Sequence, residues 1–267
     1  MKKLFFYLLV LPFVFASCGD DDNNDYDDGK IELKNNSVVI NSDQDNYKIN
    51  ARSKHAMTYE SENDFIAWVD TAGVVNPVTI GETNIVIKSE KDMKKLKVTV
   101  KAVATLFPDP DMSWGTSRAD MKKKYGTPKS EGESTIGYTD FSVAAPVVMY
   151  SFDSKDKLET SSVLVLGKHS AKLTDHLSER YLYFGESEGV LIFGNAYYKK
   201  DITLLVLVSV LDSDIMIVYA PVTPEDKKTA TSASLLSSEF AKMFKNAGLV
   251  NSAGSPVNLD SLVKSVK

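Results

Sequence analysis

The chain has 267 residues, a formal net charge of −5, 43% hydrophobic residues and one cysteine. An acidic balance without a basic block leaves no electrostatic footprint for nucleic acid, and a lone cysteine excludes a disulfide framework and a thiolate metal cage. After the first 17 residues the longest apolar stretch runs from Ile202 to Leu211, far short of the roughly 20 residues a spanning helix needs.

The N-terminus opens with Lys2 and Lys3, an apolar run from Leu4 to Ala16, and then Ser17 and Cys18. A basic start, a short apolar core and small residues before a cut define a secretory signal, too short to be a membrane span. With cysteine at the cut, Phe15-Ala16-Ser17-Cys18 resembles the lipobox of bacterial lipoproteins. The resemblance implies that residues 1–17 are removed and that Cys18 carries the lipid and anchors the protein to a membrane. The mature chain then has 250 residues, and the loss of two lysines takes the net charge from −5 to −7.

Residues 18–29 read as an acidic tether: Asp20, Asp21, Asp22, Asn23, Asn24, Asp25, Tyr26, Asp27 and Asp28 repel one another and offer nothing to bury. Cys18-Gly19 followed by aspartates is similar to the surface-export signal of Bacteroidetes lipoproteins, which implies an outer-membrane protein facing the cell exterior. A calcium-binding EF-hand loop begun at Asp20 would need Gly at its sixth position and Glu at its twelfth. Asp25 and Ile31 stand there, so that reading fails.

Residues 30–103 read as strands throughout, at Ile31 to Leu33, Val38 to Ile40, Tyr47 to Ile49, Phe65 to Val69, Ile85 to Ile87 and Leu96 to Val100. In the last, Leu96, Val98 and Val100 alternate with Lys95, Lys97, Thr99 and Lys101, the period of a strand with one buried face. Short strands separated by Asn, Asp, Ser and Gly clusters predict an all-β sandwich. The order Asn63 to Asp70, Gly73-Val74-Val75, Ile80 to Ile87 and Leu96 to Val100 resembles a group-2 bacterial immunoglobulin-like domain, a family of adhesins and surface proteins in which it often serves as a spacer. Gly73 is placed to take φ > 0 in the turn after Asp70.

Phe107-Pro108-Asp109-Pro110-Asp111 breaks the pattern, and residues 104–113 are expected to be a linker. Ser117-Arg118-Ala119-Asp120 then forms a capping box for a helix bearing Met121 and Tyr125, which Gly126 and Pro128 end. Strands are expected at 146–152 and 158–166, followed by a helix at Ser170 to Tyr181 with Leu173, Leu177 and Tyr181 on one face. Further strands are expected at 189–198, 202–211 and 215–220. Thr223-Pro224-Glu225-Asp226 caps a final helix whose apolar face is Leu236, Phe240, Met243, Phe244 and Ala247, before a tail at 248–267. Residues 114–247 are therefore expected to form an α+β domain, an antiparallel sheet with helices on one face, in which two helix-then-hairpin units raise the hypothesis of a duplication. Trp114 to Pro128 also resembles the opening of small lipoproteins that assist outer-membrane assembly.

Gly185-Glu186-Ser187-Glu188-Gly189 matches the nucleophile-elbow spacing of serine hydrolases. That elbow needs a helix after it and a histidine later in the chain. Val190 to Phe193 instead reads as a strand, and His55, His169 and His176 all lie upstream, so a hairpin turn is expected. His169 and His176 lack partners at metal spacing, and neither a metal nor a cofactor is expected. Tyr181, Tyr183, Phe184, Phe193, Tyr197 and Tyr198 form an aromatic set. Tyr197, Tyr198, Lys199 and Lys200, at an expected hairpin tip, are its members least accounted for by core packing and are the candidate binding residues. The expected function is non-catalytic: an immunoglobulin-like stalk presenting a module that binds an extracellular protein or glycan. An envelope assembly role and a hydrolase or inhibitor activity in residues 114–247 stay open beside it.

Overall fold

The computed structural model describes residues 29–44, 46–187, 189–211 and 213–222. The expected signal peptide, Cys18, the acidic run up to residue 28, the amphipathic segment 224–247 and the tail 248–267 lie outside the described residues.

Residues 32–101 carry nine strands. They are β1 (Glu32–Leu33), β2 (Ser37–Asn41), β3 (Tyr47–Lys48), β4 (Ala51–Arg52), β5 (Thr58–Ser61), β6 (Ala67–Val69), β7 (Val74–Pro77), β8 (Gly81–Lys88) and β9 (Met93–Lys101). A four-stranded sheet in the order β2-β9-β8-β5 and a three-stranded sheet β3-β7-β6 share one core, with β1 and β4 forming a small separate ribbon. Strand β9 shows why: Leu96, Val98 and Val100 turn inward while Lys95, Lys97 and Lys101 beside them stay wet. Ile40, Ile85, Ile87, Ala67 and Val75 meet them from both sheets. At the β6–β7 turn, Asp70 Oδ1 accepts the amides of Ala72 at 2.9 Å and Val74 at 2.8 Å. Gly73 there has φ +77°, and a Cβ would come within 2.7 Å of the Tyr59 ring, so both the turn and the packing demand glycine.

The chain enters and leaves this unit at opposite ends. At the β8–β9 turn, Ser89 Oγ donates to the Gly29 carbonyl at 3.2 Å and Asp92 Oδ2 accepts the Ile31 amide at 2.8 Å. Strand β9 then runs the length of the sandwich, and its Val100 pairs with Gly81 at the start of β8. Strands of eight and nine residues separate the two ends by about 25–30 Å, at roughly 3.4 Å per residue.

The second unit contains α1 (Arg118–Tyr125), β10 (Ser130–Glu131), β11 (Thr135–Thr139), β12 (Val147–Phe152), β13 (Leu158–Val165), α2 (Ser170–Ser178), β14 (Leu182–Ser187), β15 (Val190–Gly194), β16 (Leu204–Leu211) and β17 (Asp214–Pro221). Its strands form one eight-stranded antiparallel sheet in the order β10-β11-β12-β13-β17-β16-β15-β14. Two four-stranded meanders, each preceded by a short helix, are thus joined where β13 pairs with β17. Its main core gathers Val148, Tyr150, Val163, Val206, Ile217 and Tyr219 from the sheet, together with Phe107, Met121, Leu173 and Leu177.

This arrangement corrects the expected fold class. The chain is nearly all-β, divided among several sheets, and residues 114–222 do not form an α+β domain with helices layered on one face. The helices are stubs of eight and nine residues. Ser117 Oγ caps α1 by accepting the Asp120 amide at 3.1 Å, and Gly126 ends it at φ +82°. Between those signals α1 buries only Met121. Helix α2 stops at Ser178, so Tyr181 lies beyond it rather than completing an apolar stripe. Neither stub is long enough to cover an eight-stranded sheet, and loop residues such as Leu106, Phe107 and Trp114 fill in beside them. No helix among the described residues is long and apolar enough to cross a membrane.

Candidate functional site

A concentrated set of polar contacts lies at the end of α2, where the two units meet. His176, Glu179 and Arg180 are spaced i, i+3 and i+4 and therefore share one side of the last helical turn. Together they hold residues 103–107, part of the segment expected to be a linker. The Glu179 carboxylate accepts the Val103 amide at 3.1 Å and the Ala104 amide at 3.0 Å. Arg180 Nη1 donates to the Ala104 carbonyl at 3.4 Å and to the His176 carbonyl at 2.8 Å. The Leu106 amide donates to His176 Nδ1 at 3.2 Å, and the Phe107 ring lies 4.3 Å from the imidazole, centroid to centroid.

Glu179 also reaches into the first unit. Ser42 Oγ donates to its carboxylate at 2.5 Å, and the Ile80 amide donates to its backbone carbonyl at 2.7 Å. Burial works to raise the Glu179 pKa, but the hydrogen bonds from Ser42, Ala104 and Val103 and the nearby Arg180 charge outweigh it and hold the carboxyl below its ordinary range. His176 is wholly buried, and its Nε2 has no hydrogen-bond partner among the described residues. Burial, reinforced by the Arg180 charge, lowers its pKa to about 4, so the ring is neutral at physiological pH.

A second contact between the units involves a residue singled out in the sequence. Tyr197 sets its ring edge-on to Phe65, with centroids 5.5 Å apart. Phe65 is fixed from both sides, because its amide donates to Asn63 Oδ1 at 3.0 Å and its carbonyl accepts Thr79 Oγ1 at 2.5 Å. Tyr197, Tyr198, Lys199 and Lys200 lie on the loop between β15 and β16, and Lys199–Asp201 form a 3₁₀ turn. Asn195 closes the base of this loop: its Oδ1 accepts the amides of Thr203 and Leu204, each at 3.0 Å, and its Nδ2 donates to Thr203 Oγ1 at 2.8 Å. Ala196 and Ile202 are buried and anchor the loop on either side. The loop therefore sits against the first unit, not at the far end of the second. Tyr198 is 69% exposed, and Lys200 Nζ lies 5.9 Å from its ring centroid.

Strand β14, at the edge of the sheet, supplies two further exposed aromatics, Tyr183 and Phe184. The pairing slips here, Tyr183 standing opposite Phe193 and Gly185 opposite Ile192, so Phe184 is an extra residue in a β-bulge. Its ring lies over Gly194, where a Cβ would come within 2.7 Å of it. The bulge turns both rings outward and interrupts an edge that would otherwise offer regular pairing to another chain. Of the aromatic set read in the sequence, Tyr181 is buried in the core and Phe193 packs against it, while Tyr183, Phe184, Tyr197 and Tyr198 remain on the surface. Trp68 is also exposed, on β6.

Ser187 ends β14 in the hairpin to β15. His169 lies in the 3₁₀ turn before α2, and His176 holds the junction rather than a metal. Among the described residues, no three His, Cys, Asp or Glu side chains are grouped to hold a metal ion. Cys18 lies outside the described residues. Sequence reasoning missed Glu179 and Arg180, whose only signal was a charged pair at the end of an amphipathic helix.

No family model matches the chain, and no curated protein matches it. Among solved structures, domains 5–6 of the S-layer protein SbsC are 14% identical, with a TM-score of 0.24 over 72% of this chain and 83% of that one. The C-terminal domain of TagH is 10% identical, with a TM-score of 0.27 over 63% of this chain and 99% of that one. Human protocadherin-24 EC1-2 is 11% identical, with a TM-score of 0.23 over 67% and 94%. Scores this low have no bearing on function.

The junction carries a pH signature. His176 titrates near 4 when folded and near 6.5 when unfolded, so the unfolded chain binds the extra proton between those values. Stability therefore falls as pH drops from 6.5 to 4, by up to about 3 kcal/mol at roughly 1.4 kcal/mol per pKa unit, and this contribution levels off below 4. Denaturant unfolding of the wild type and a His176→Gln variant across pH 7 to 4 checks it. The variant is expected to lack most of the slope between pH 6.5 and 5, above the range where the hydrogen-bonded carboxylates lose their contribution, and equal slopes there would contradict the assignment.

Proposed function

We propose that this chain is a non-catalytic, lipid-anchored lipoprotein of the bacterial outer membrane that faces outward. Its first unit, immunoglobulin-like, acts as a stalk, and the eight-stranded unit is the module it presents to an extracellular protein or glycan. The observation that carries this reading is the path of the chain. The tether joins the stalk beside the β8–β9 turn, and the second unit joins the opposite end of the same strands. A module attached in that way is held away from whatever the N-terminus is fixed to, and His176 of α2 with Glu179 and Arg180 just past its end keep the exit from bending freely. The 11 steps along the chain from Cys18 to Gly29 add at most about 37 Å when extended, at roughly 3.4 Å per residue. Anchoring rests on the lipobox-like site at Cys18, and outward orientation on the aspartates after it.

The exposed rings support a binding role. Tyr183, Phe184 and Tyr198 offer flat apolar area with few rotatable bonds, the chemistry that stacks on sugar rings or fills a partner's pocket.

Labelling of cells with a fatty-acid probe tests the anchor. Wild-type protein is expected to take up the probe and fractionate with the outer membrane, while Cys18→Ala takes up none, and equal labelling would overturn the lipoprotein reading. Replacing Asp20 to Asp22 with alanine is expected to leave labelling intact and to protect the protein from protease added to whole cells.

Binding is tested with the soluble mature chain carrying Cys18→Ala, screened against glycan arrays and extracellular protein panels. A Tyr183→Ala/Tyr198→Ala variant is expected to weaken any hit at least tenfold, equivalent to about 1.4 kcal/mol. Undiminished binding would move the site away from these rings.

A further inference from the structure

The eight-stranded sheet is apolar on both faces. Along β17, Ile215, Ile217 and Tyr219 enter the main core, whereas Met216 and Val218 point the other way. The same alternation sends Val206 and Val208 of β16 inward and Leu205 and Leu207 outward, and on β15 it separates Leu191 from Ile192. The outward set forms its own cluster, joined by Met149 and Leu164 from β12 and β13. Strand neighbours can shield a side chain laterally but cannot cap it from above. Yet Leu207 is 0% exposed, and Met216 and Val218 are 3%. Among the described residues every member of this cluster belongs to the sheet itself, and neither α1, α2 nor the first unit contributes to it.

We propose that residues 224–247 of this same chain cover that face, laying Phe240, Met243 and Phe244 against Leu207, Met216 and Val218. The chain leaves the sheet from β17, one of the strands that build the face, at Pro221, and 46 residues follow. Thr223-Pro224 supplies a helix start, and Gly248 a stop. Between them Leu236, Phe240, Met243, Phe244 and Ala247 recur at helical spacing, with Lys242 on the opposite side. The dimensions agree. Residues 236–247 as a helix extend about 17 Å at 1.5 Å per residue. The face spans the five strands from β12 to β15, about 19 Å at 4.8 Å per spacing. At the other terminus the apolar run from Leu4 to Ala16 leaves with the expected signal peptide, and the acidic residues 20–28 have no apolar stripe to offer the face. The sheet would thus be buried on both sides, which its apolar strands require.

The test uses the mature chain with Cys18→Ala and methyl-labelled methionines. Phe240→Asp/Phe244→Asp is expected to shift the Met149 and Met216 methyl signals and to raise hydrophobic-dye fluorescence several-fold, while Lys242→Asp does neither. Should the double aspartate variant fail to fold, Phe240→Ala/Phe244→Ala is read in the same spectra and is expected to shift the same two methyls. Unmoved Met149 and Met216 signals in a folded Phe240/Phe244 variant would overturn the proposal, as would an equal response to Lys242→Asp. Dye fluorescence of the unsubstituted chain that rises on dilution, with a dimer seen in sedimentation, would show that a second copy covers the face and would overturn it equally.

Discussion

His176 in the last turn of α2 and Glu179 and Arg180 just past its end lie on one side, and through them the end of this short helix grips the segment of chain that crosses between two β units. Each unit has its own core, Ile40 to Val100 on one side and Phe107 to Tyr219 on the other. Separate cores would ordinarily leave the units free to move about an exposed segment. Here the amides of Val103, Ala104 and Leu106 and the carbonyl of Ala104 find their partners in side chains at the end of α2, and Phe107 is inserted into the second core. The junction is thus built by the requirement that buried amides and carbonyls find partners.

The same chemistry makes the junction costly to disturb. Glu179 and Arg180 are both mostly withdrawn from water, and each is stabilised by several hydrogen bonds rather than by their mutual contact, which is 3.6 Å. Removing one partner of such a set strands buried donors or a buried charge, at roughly 1–3 kcal/mol for each unsatisfied group. Against the 5–15 kcal/mol that holds a typical domain, that is enough to couple the units. The Tyr197–Phe65 contact adds a second point of attachment, so the aromatic loop is stabilised by the first unit that it faces.

Short-range features were legible in the sequence. The lysine-interleaved alternation of Leu96, Val98 and Val100, the glycine turn at Gly73, and the Ser117 and Gly126 helix ends follow from chemistry within a few residues. Long-range features were not. His176 reads as a solitary helix histidine until Leu106 and Phe107, about 70 residues earlier, are brought beside it. Strand β14 was missed because its bulge and Gly185 break the alternation and its aromatics face outward. Strand β11 was missed because Gly137 interrupts it, leaving room for Ser130 of β10 beside it. The helix content was overstated because apolar residues at helical spacing, Leu173 and Leu177, were extended to Tyr181, which belongs to the sheet core beyond the end of α2.

The central claim is that α2 fixes the orientation of the two units. Spin labels on cysteines replacing Met93 and Val143, which are 56% and 90% exposed, span the junction in a Cys18→Ala background. Pulsed electron–electron distance measurements should give one narrow distribution for this protein and a broad one once Glu179→Ala is added. A broad distribution in the protein with Glu179 intact, or an equally narrow one without it, would contradict the claim.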